Sequence, residues 1–246
     1  MPFDLDVQLG PQRLAPPAVY QPVMALMLYM QGMSVQLLKH PVLDGDAGYS
    51  LGAASALLPE DTDTLLTALA GQGMTFMHEH TLACGIGSVS WWVPPGKRAL
   101  LFDAKYTATK SIAALNGRLM PLPGLVMHAT LENLRIFAVK GQARPALDTP
   151  LFQAPFWNMF DTGAMCQGSV RYPTQLRPQD QASWEGAFFD SVFTGPSRTD
   201  RYIDWSRSYQ ELLERAIEKD VFPESVLMPT RKTLAQTLSP DGTAPM

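Results

Sequence analysis

The sequence predicts an α+β fold in which an antiparallel meander sheet is flanked by helices. Short apolar segments follow one another between about residues 74 and 139. Most of them are joined by short turns, which favours antiparallel pairing because a parallel crossover needs a longer connection. After residue 178, apolar residues recur at helical spacing instead. We therefore expect a sheet built from the middle of the chain, with helices following it.

Length and composition limit the class of protein. The 246 residues are 46% hydrophobic and 17% charged, which is enough for a proper core. A net charge of −4 argues against a general nucleic-acid binder. The N-terminus lacks the features of a signal peptide, and the longest apolar run, residues 23–30, is too short to span a bilayer. Two distant cysteines provide no disulfide framework, which is typical of a reducing compartment, so we expect a cytoplasmic protein. From the charge and the short apolar runs, we expect that it binds neither nucleic acid nor membrane.

Residues 1–58 are predicted to form a β-rich N-terminal extension. The apolar run 23–30, the turn at Gln31-Gly32 and the return over 33–38 indicate a hairpin. The stretch 43–55 is rich in glycine and aspartate and is expected to be a loop.

The main domain is predicted to span residues 59–228 and to begin with a helix. Its first turn contains Glu60 and Asp61, which complement the helix dipole. Three leucines then share one face of the helix, namely Leu65, Leu66 and Leu69. Gly71 ends the helix. Five strands should follow, at about residues 74–84, 88–93, 99–102, 125–131 and 134–139. The gap over 103–124 has room for a short helix.

The remainder of the domain is predicted to be irregular at first and then helical. Residues 140–156 contain three prolines and should be irregular surface, and Cys166 should lie outside the sheet, beyond its last strand and before a helix. The first helix spans about 181–192, with a stripe formed by Trp184, Phe188, Phe189 and Val192. The second spans about 205–221, with Asp204 as its N-cap. Residues 229–246 are polar, and a flexible tail is expected.

The segment APFWNMFDTGAMCQG, residues 154–168, contains the candidate nucleophile Cys166. A thiolate can attack an acyl group, and Asn158, eight residues earlier, has an amide that can donate to the developing oxyanion. The residues alone leave a second interpretation open, a half-buried cysteine beside an aromatic cluster. The flanking segment contains no histidine, which argues against a papain-like protease.

Other candidate sites are weaker. His78, His80 and Cys84 would share one face of an unbroken strand and could act as metal ligands. A fourth ligand is not visible in the sequence, so we predict no metal site and expect a half-exposed strand instead. Cys84 ends an apolar-rich strand and is expected to be buried and dispensable for chemistry. Trp91 and Trp92 should point to opposite faces of their strand.

Five stretches occur in a characteristic order: 90–95 with Arg98, 122–125, 144–145, 154–168, and Trp184 followed by 188–194. The pattern resembles the ubiquitin-conjugating enzyme superfamily, whose signature is His-Pro-Asn, a flap and Gly-x-x-Cys. Phe156-Trp157-Asn158 stands in place of His-Pro-Asn, and Gly163-Ala164-Met165-Cys166 forms the cysteine turn. The closer resemblance is to a bacterial branch, protein B of the PRTRC system (the ParB-related, ThiF-related cassette), which is carried on plasmids and other mobile elements.

The resemblance implies a conjugating-like transferase. Such a protein would accept a ubiquitin-like protein from a ThiF-like adenylating enzyme as a Cys166 thioester and pass it to an amine. Asn158 would act as oxyanion donor or flap organiser, and no cofactor is expected. Two departures leave a second function open, namely a non-catalytic interaction module that keeps the fold as a binding platform. Phe-Trp replaces His-Pro, and Gly195 stands where the family continues Phe-Thr with a histidine.

Overall fold

The computed structural model describes residues 21–32, 34–46, 48–70, 77–85, 87–105 and 107–239. Its contacts divide the chain into two compact units, Met1–Thr75 and Phe76–Met246. The helix that is predicted to begin the main domain is grouped by its contacts with the first unit. Each unit is described by itself.

The first unit contains an antiparallel sheet and a helix: β1 (Met24–Gln31), β2 (Ser34–Gly45), β3 (Gly48–Leu51), β4 (Ser55–Ala56) and α1 (Pro59–Ala70). β2 pairs with each of the other three strands. The prediction of a loop over residues 43–55 is wrong in part, because β2 continues to Gly45 and pairs there with Gly48. Gly48 adopts φ +101°, so these glycines form a tight hairpin turn rather than a long loop. Lys39 of β2 forms an ion pair with Asp61 of α1.

The second unit contains one large sheet, two small sheets and several helices. Its strands are β5 (Thr81–Gly85), β6 (Ser88–Val93), β7 (Gly96–Ala99), β8 (Leu101–Phe102), β9 (Leu119–Leu122), β10 (Gly124–Thr130), β11 (Asn133–Val139), β12 (Pro150–Gln153), β13 (Val192–Phe193) and β14 (Pro229–Thr233). Its helices are α2 (Thr107–Lys110), α3 (Gln181–Phe189), α4 (Tyr209–Lys219) and α5 (Leu234–Leu238).

The large sheet is antiparallel throughout, with the strand order β14-β12-β11-β10-β6-β5. Helices and an antiparallel sheet therefore form the α+β fold that the sequence predicts. The connection from β6 to β10 is long, because it contains β7, β8, α2 and β9. The short helix allowed for in this gap is α2. β13 joins β8 in a separate, parallel pair.

Residues 229–239 are not the flexible tail that their polarity suggests. Pro229–Thr233 forms edge strand β14 on β12, and the Thr230 hydroxyl donates to the Leu151 carbonyl oxygen at 2.7 Å. α5 follows at once, with Thr233 and Gln236 forming a capping box. Its first residue, Leu234, is buried. Residues 240–246, the rest of the predicted tail, lie outside the described residues.

The prediction that residues 140–156 are irregular is also wrong in part, because this segment contains β12. The prolines are tolerated because this strand has only four residues and Pro150 is the first of them. Cys166 lies outside the large sheet and before α3, as predicted. It does not lie beyond the last strand, however, because β14 returns to the sheet from the C-terminal part of the chain.

The main core lies between the large sheet and helices α3 and α4. Trp91 points into this core, whereas Trp92 points to a smaller cluster on the other face, so the predicted alternation is confirmed. α3 buries Trp184, Phe188 and Phe189, as its spacing predicts.

Two details of the helix predictions are wrong. Val192 lies in β13 and is 43% exposed, so it does not extend the apolar stripe of α3. α4 begins later than predicted, because Ser208 rather than Asp204 is its N-cap. The Ser208 hydroxyl and the Glu211 carboxylate form a capping box there.

Candidate functional site

The segment from Asn158 to Cys166 forms a closed loop at the edge of the large sheet. Cys166 N–H donates to the Asn158 carbonyl oxygen at 2.7 Å, which joins the two ends of the loop. Its second half lies against β11, where Ile136 N–H donates to Gly163 O and Met165 N–H donates to Leu134 O, both at 2.8 Å. The loop therefore occupies the stretch of β11 that β12 leaves unpaired, and the sheet holds the residue just before Cys166.

Gly163 is required by this close approach of the loop to β11. It adopts φ +80°, a conformation that side chains other than glycine rarely adopt. A Cβ atom at this position would also lie 2.6 Å from the Phe137 ring. Glycine is therefore needed at this position of the predicted cysteine turn for two physical reasons, the backbone conformation and the lack of space for a side chain.

The two aromatic residues before Asn158 are buried and hold the start of the loop. Phe156 packs edge-to-face on Phe188 of α3, with ring centroids 5.2 Å apart. Trp157 contacts Tyr209 of α4 with ring centroids 5.4 Å apart. The Tyr209 hydroxyl in turn donates to the Pro155 carbonyl oxygen at 2.6 Å. Phe-Trp therefore fixes this segment by packing against both helices.

Arg198 holds the same segment from the other side. Its Nη2 donates to the carbonyl oxygens of Ala154 and Phe156, both at 2.9 Å, and its Nη1 donates to Gln153 Oε1 at 3.1 Å. Burial lowers the pKa of this guanidinium. Sequence reasoning missed Arg198, because its partners lie more than 40 residues earlier and are mostly backbone atoms.

Asn158 is buried and adopts φ +56°, which asparagine tolerates better than most residues. Its Nδ2 donates to the Val192 carbonyl oxygen at 2.9 Å. Its Oδ1 accepts hydrogen bonds from both the backbone N–H and the hydroxyl of Thr194, each at 3.1 Å. Its own N–H donates to Gly195 O at 2.9 Å. Asn158 thus joins the cysteine loop to the chain segment 192–195.

Cys166 is half-buried and lies on the wall of a cavity of about 450 Å³. Asn158 lines the same cavity, so the structure brings together the two predicted site residues. Two carboxylates, Asp103 and Asp190, also line it, together with Thr194. Its described lining contains no basic side chain and no histidine. The cavity therefore combines a thiol, an amide and two negative charges.

The family model for prokaryotic E2 family D matches residues 62–230, which include this whole site. The chain belongs to that family. Its members resemble ubiquitin-conjugating enzymes, and the match covers the large sheet except for most of β14, together with the cysteine loop and helices α3 and α4. No curated protein and no solved structure matches the chain. None of the described helices has the length and hydropathy needed to cross a membrane.

In this family D protein, the two carboxylates come from segments far from the cysteine in sequence. Asp103 follows β8, and Asp190 is the C-cap of α3. The parallel pair of β8 and β13 brings them to one cavity, and Asp103 N–H donates to Phe193 O at 3.0 Å. No local pattern in the sequence indicates this pairing, so the two aspartates were missed.

Tyr172 lies within electrostatic range of Cys166, and sequence reasoning did not identify it. Its ring packs against Trp184, with centroids 5.2 Å apart. Burial raises the pKa of the Tyr172 hydroxyl, a backbone hydrogen bond with Leu134 opposes the shift, and the charge of an ionised Cys166 adds to it. The phenol therefore stays protonated near the thiol over the neutral pH range.

Cys84 is exposed, which corrects the prediction that it is buried. It lies near the end of β5, an edge strand of the large sheet, and its one strand partner among the described residues is Val89. The apolar residues of β5 correctly indicate a strand, but the strand's place at the edge leaves its last residues uncovered.

The strand predicted over 74–84 begins only at Thr81, so His78 and His80 are not on it. Residues 74–76 lie outside the described residues, and His80 lies in a turn. The two imidazole rings contact each other with centroids 5.6 Å apart, and His80 also lies edge-to-face on Trp92. Within the described ranges, no group of three His, Cys, Asp or Glu side chains has the geometry of a metal site.

Proposed function

We propose that this family D protein carries a ubiquitin-like protein as a thioester on Cys166 and transfers it to an amine. The observation that supports this most is the shared cavity, in which Cys166 and Asn158 line one wall beside two carboxylates. The hydrogen-bonded loop fixes the backbone of Cys166 while leaving the residue partly accessible. A nucleophile that must react with another protein needs both properties.

Loading is a thioester exchange. The Cys166 thiolate attacks the acyl carbon of a thioester on the adenylating enzyme, a new C–S bond forms, and the donor's C–S bond breaks to release the donor's cysteine as a thiolate. Because the incoming acyl group is already activated, the step needs no histidine to form a triad with Cys166. The lack of histidine in the described lining of the cavity is consistent with this chemistry.

In the transfer step, the amine nitrogen attacks the acyl carbon, a C–N bond forms and the bond to Cys166 Sγ breaks. The amine loses a proton and Cys166 regains a thiol. The carboxylates of Asp103 and Asp190 give the cavity a negative charge that attracts an ammonium group and can accept hydrogen bonds from it. An amine acceptor thus suits this cavity better than an anionic acceptor.

Asn158 acts here in two ways. Its Oδ1 and one Nδ2 hydrogen bond hold the segment 192–194 against the loop. A carboxamide nitrogen has two hydrogens, and the second remains available to donate to the oxyanion that forms on the acyl carbon. Asn158 is therefore a positioning residue for the cavity wall and the proposed oxyanion donor.

The donor is expected to be a ubiquitin-like protein, activated by a ThiF-like adenylating enzyme of a PRTRC-type cassette. Two observations support this: the chain belongs to prokaryotic E2 family D, and five of its sequence stretches resemble protein B of the PRTRC system. The reaction needs Cys166 as a free thiol, and the structure contains both cysteines as free thiols. A reducing compartment such as the cytoplasm suits such a protein.

The test is reconstitution with the cassette's adenylating enzyme, its ubiquitin-like protein and ATP. We expect a mass-shifted adduct that reducing agent removes, and that added free lysine discharges to a lysine conjugate. If the adenylating enzyme becomes charged but no adduct forms on this protein, transfer chemistry is excluded. Stable binding of the charged ubiquitin-like protein in that case would favour the binding-platform function.

A further inference from the structure

A second cavity, of about 190 Å³, lies on the other face of the large sheet. In β11, Leu134, Ile136 and Ala138 point into the main core, so Arg135 and Phe137 point to the opposite face. The cavity is bordered there by Arg135, by Lys232 of β14 and by Thr162 of the cysteine loop. It has room for roughly six water volumes, enough for a small polar group.

The described charges around this cavity leave an excess of positive charge. Neither Arg135 nor Lys232 forms an ion pair within the described residues. The carboxylate of Asp161 also lines the cavity and forms no ion pair within the described residues, so two positive charges face one negative charge there. The charge of Asp161 also acts on Arg198, a buried guanidinium outside the lining. Burial lowers the pKa of Arg198, and Asp161 opposes that shift, as expected for two charges that attract each other.

The polar groups around the cavity include an excess of free donors. The hydroxyls of Thr230, Thr237 and Ser239 donate to backbone carbonyls of their own surroundings. In contrast, the Thr162 oxygen accepts from Ala164 N–H, and Gln236 Oε1 accepts from Thr233 N–H. Within the part of the chain that the structure describes, the hydrogens of the Thr162 hydroxyl and of Gln236 Nε2 therefore remain to be donated. With the guanidinium and ammonium groups, these donors suit an anion with several acceptor oxygens.

The backbone next to Lys232 has an unusual conformation. Arg231 adopts φ +63°, and the register between β12 and β14 shifts at this place. A left-handed conformation in a non-glycine residue costs about 1–2 kcal/mol, and such strain is concentrated at functional sites. The bulge that it forms places Lys232 on the wall of the cavity.

We propose that this cavity binds a phosphate group, either as the free anion or at the end of a larger molecule, and that binding rigidifies the cysteine loop. The coupling follows from Thr162, which belongs to the loop between Asn158 and Cys166 and borders the phosphate cavity. A phosphate held by Arg135, Lys232 and the Thr162 hydroxyl would join this loop to β11 and β14. Phosphate binding requires no acyl transfer at Cys166 and can be measured on the protein alone.

The test is a titration of the full chain with inorganic phosphate at constant ionic strength, followed by calorimetry. We expect one saturable site, weakened roughly tenfold or more in Arg135→Gln and in Lys232→Gln, as for loss of a hydrogen bond to a charged group. Arg118→Gln is the matched control, because Arg118 is exposed and borders neither described cavity. Lack of saturable binding, or an equal loss in Arg118→Gln, would overturn the proposal.

Two further measurements distinguish the source of the phosphate and test the coupling. Tighter binding of a phosphomonoester such as glycerol phosphate than of inorganic phosphate would identify a larger ligand, and the reverse order would identify the free anion. Amide hydrogen exchange in residues 159–165 should slow at saturating phosphate in the wild type and stay unchanged in Lys232→Gln. Binding without slower exchange would refute the coupling.

Discussion

Cys84 and Cys166, the two cysteines of this protein, lie in contrasting surroundings. Cys84 is the more exposed of the two and lies near the free end of edge strand β5. Cys166 is half-buried, its N–H is bonded to the Asn158 carbonyl oxygen, and its cavity contains an amide and two carboxylates. The more accessible thiol is therefore the one with fewer fixed polar groups around it.

This difference shows that accessibility alone does not identify the reactive cysteine. A general alkylating agent needs only an accessible thiolate and is expected to label both residues. Acyl transfer also needs a fixed backbone, an oxyanion donor and a place for the acceptor. The surroundings of Cys166 combine a hydrogen-bonded backbone, a neighbouring carboxamide and a cavity, which are the groups that the proposed transfer would use. Alkylation is thus a poor test of function here, and variants of the surrounding groups are better ones.

The largest effect is expected from loss of the Asn158 side chain. Asn158→Gly should slow single-turnover transfer to lysine by roughly 10²–10³-fold, the usual effect of removing one oxyanion donor. Glycine is chosen because it accepts the observed φ of +56° without strain, whereas Asn158→Ala would add a backbone cost. The melting temperatures of Asn158→Gly and Asn158→Ala should be measured alongside their transfer rates.

Thr194→Val is the matched control for Asn158. It removes one hydrogen bond to Asn158 Oδ1 but leaves the amide nitrogen in place. A large loss in Asn158→Gly with little loss in Thr194→Val supports the oxyanion role. Equal losses in both variants would show that the amide only holds the segment 192–194.

The next effect tests the backbone that positions Cys166. Gly163→Ala should lower the free energy of unfolding by roughly 2–4 kcal/mol, from the left-handed conformation and from overpacking against Phe137. Gly168 also has a positive φ, +53°, but a Cβ there would meet no atom within 4 Å. Gly168→Ala should therefore cost only about 1 kcal/mol. Equal costs in chemical denaturation would contradict the close approach of the loop to β11.

The smallest effect concerns the two carboxylates of the Cys166 cavity. Asp103→Asn and Asp190→Asn should each slow transfer to lysine by about fivefold, as for a partly exposed charge interaction of up to ~1 kcal/mol. Hydroxylamine is uncharged at neutral pH, so its discharge rate should stay the same in both variants. An equal loss with both acceptors would show that the aspartates shape the cavity rather than attract the ammonium group.

The sequence predicts those parts of the site that are local in the chain. Asn158, Gly163 and Cys166 lie within nine residues, and their loop closes by contacts within itself and with one strand. Arg198 and Asp103 could not be predicted, because their places depend on how β8, β13 and the segment after α3 are packed.

The same reasoning explains the errors in the fold. An apolar pattern identifies β5 as a strand but not as the edge of the sheet, so the exposure of Cys84 was predicted wrongly. β14 and α5 escaped prediction because their polar sequence contains few buried residues. The capping box of Thr233 and Gln236 was a local signal for α5 that could have been used.

The most direct measurement of the central claim is the location of the adduct in the two single-cysteine variants. Each is incubated with the adenylating enzyme, the ubiquitin-like protein and ATP, and its intact mass is measured with and without reducing agent. Cys84→Ser should change the free energy of unfolding by no more than about 0.5 kcal/mol, as is usual for an exposed residue. It should form the thiol-sensitive adduct at the wild-type rate, whereas Cys166→Ser should form no adduct or only a thiol-resistant ester. A thiol-sensitive adduct that persists in Cys166→Ser and is lost in Cys84→Ser would contradict the assignment of Cys166 as the nucleophile.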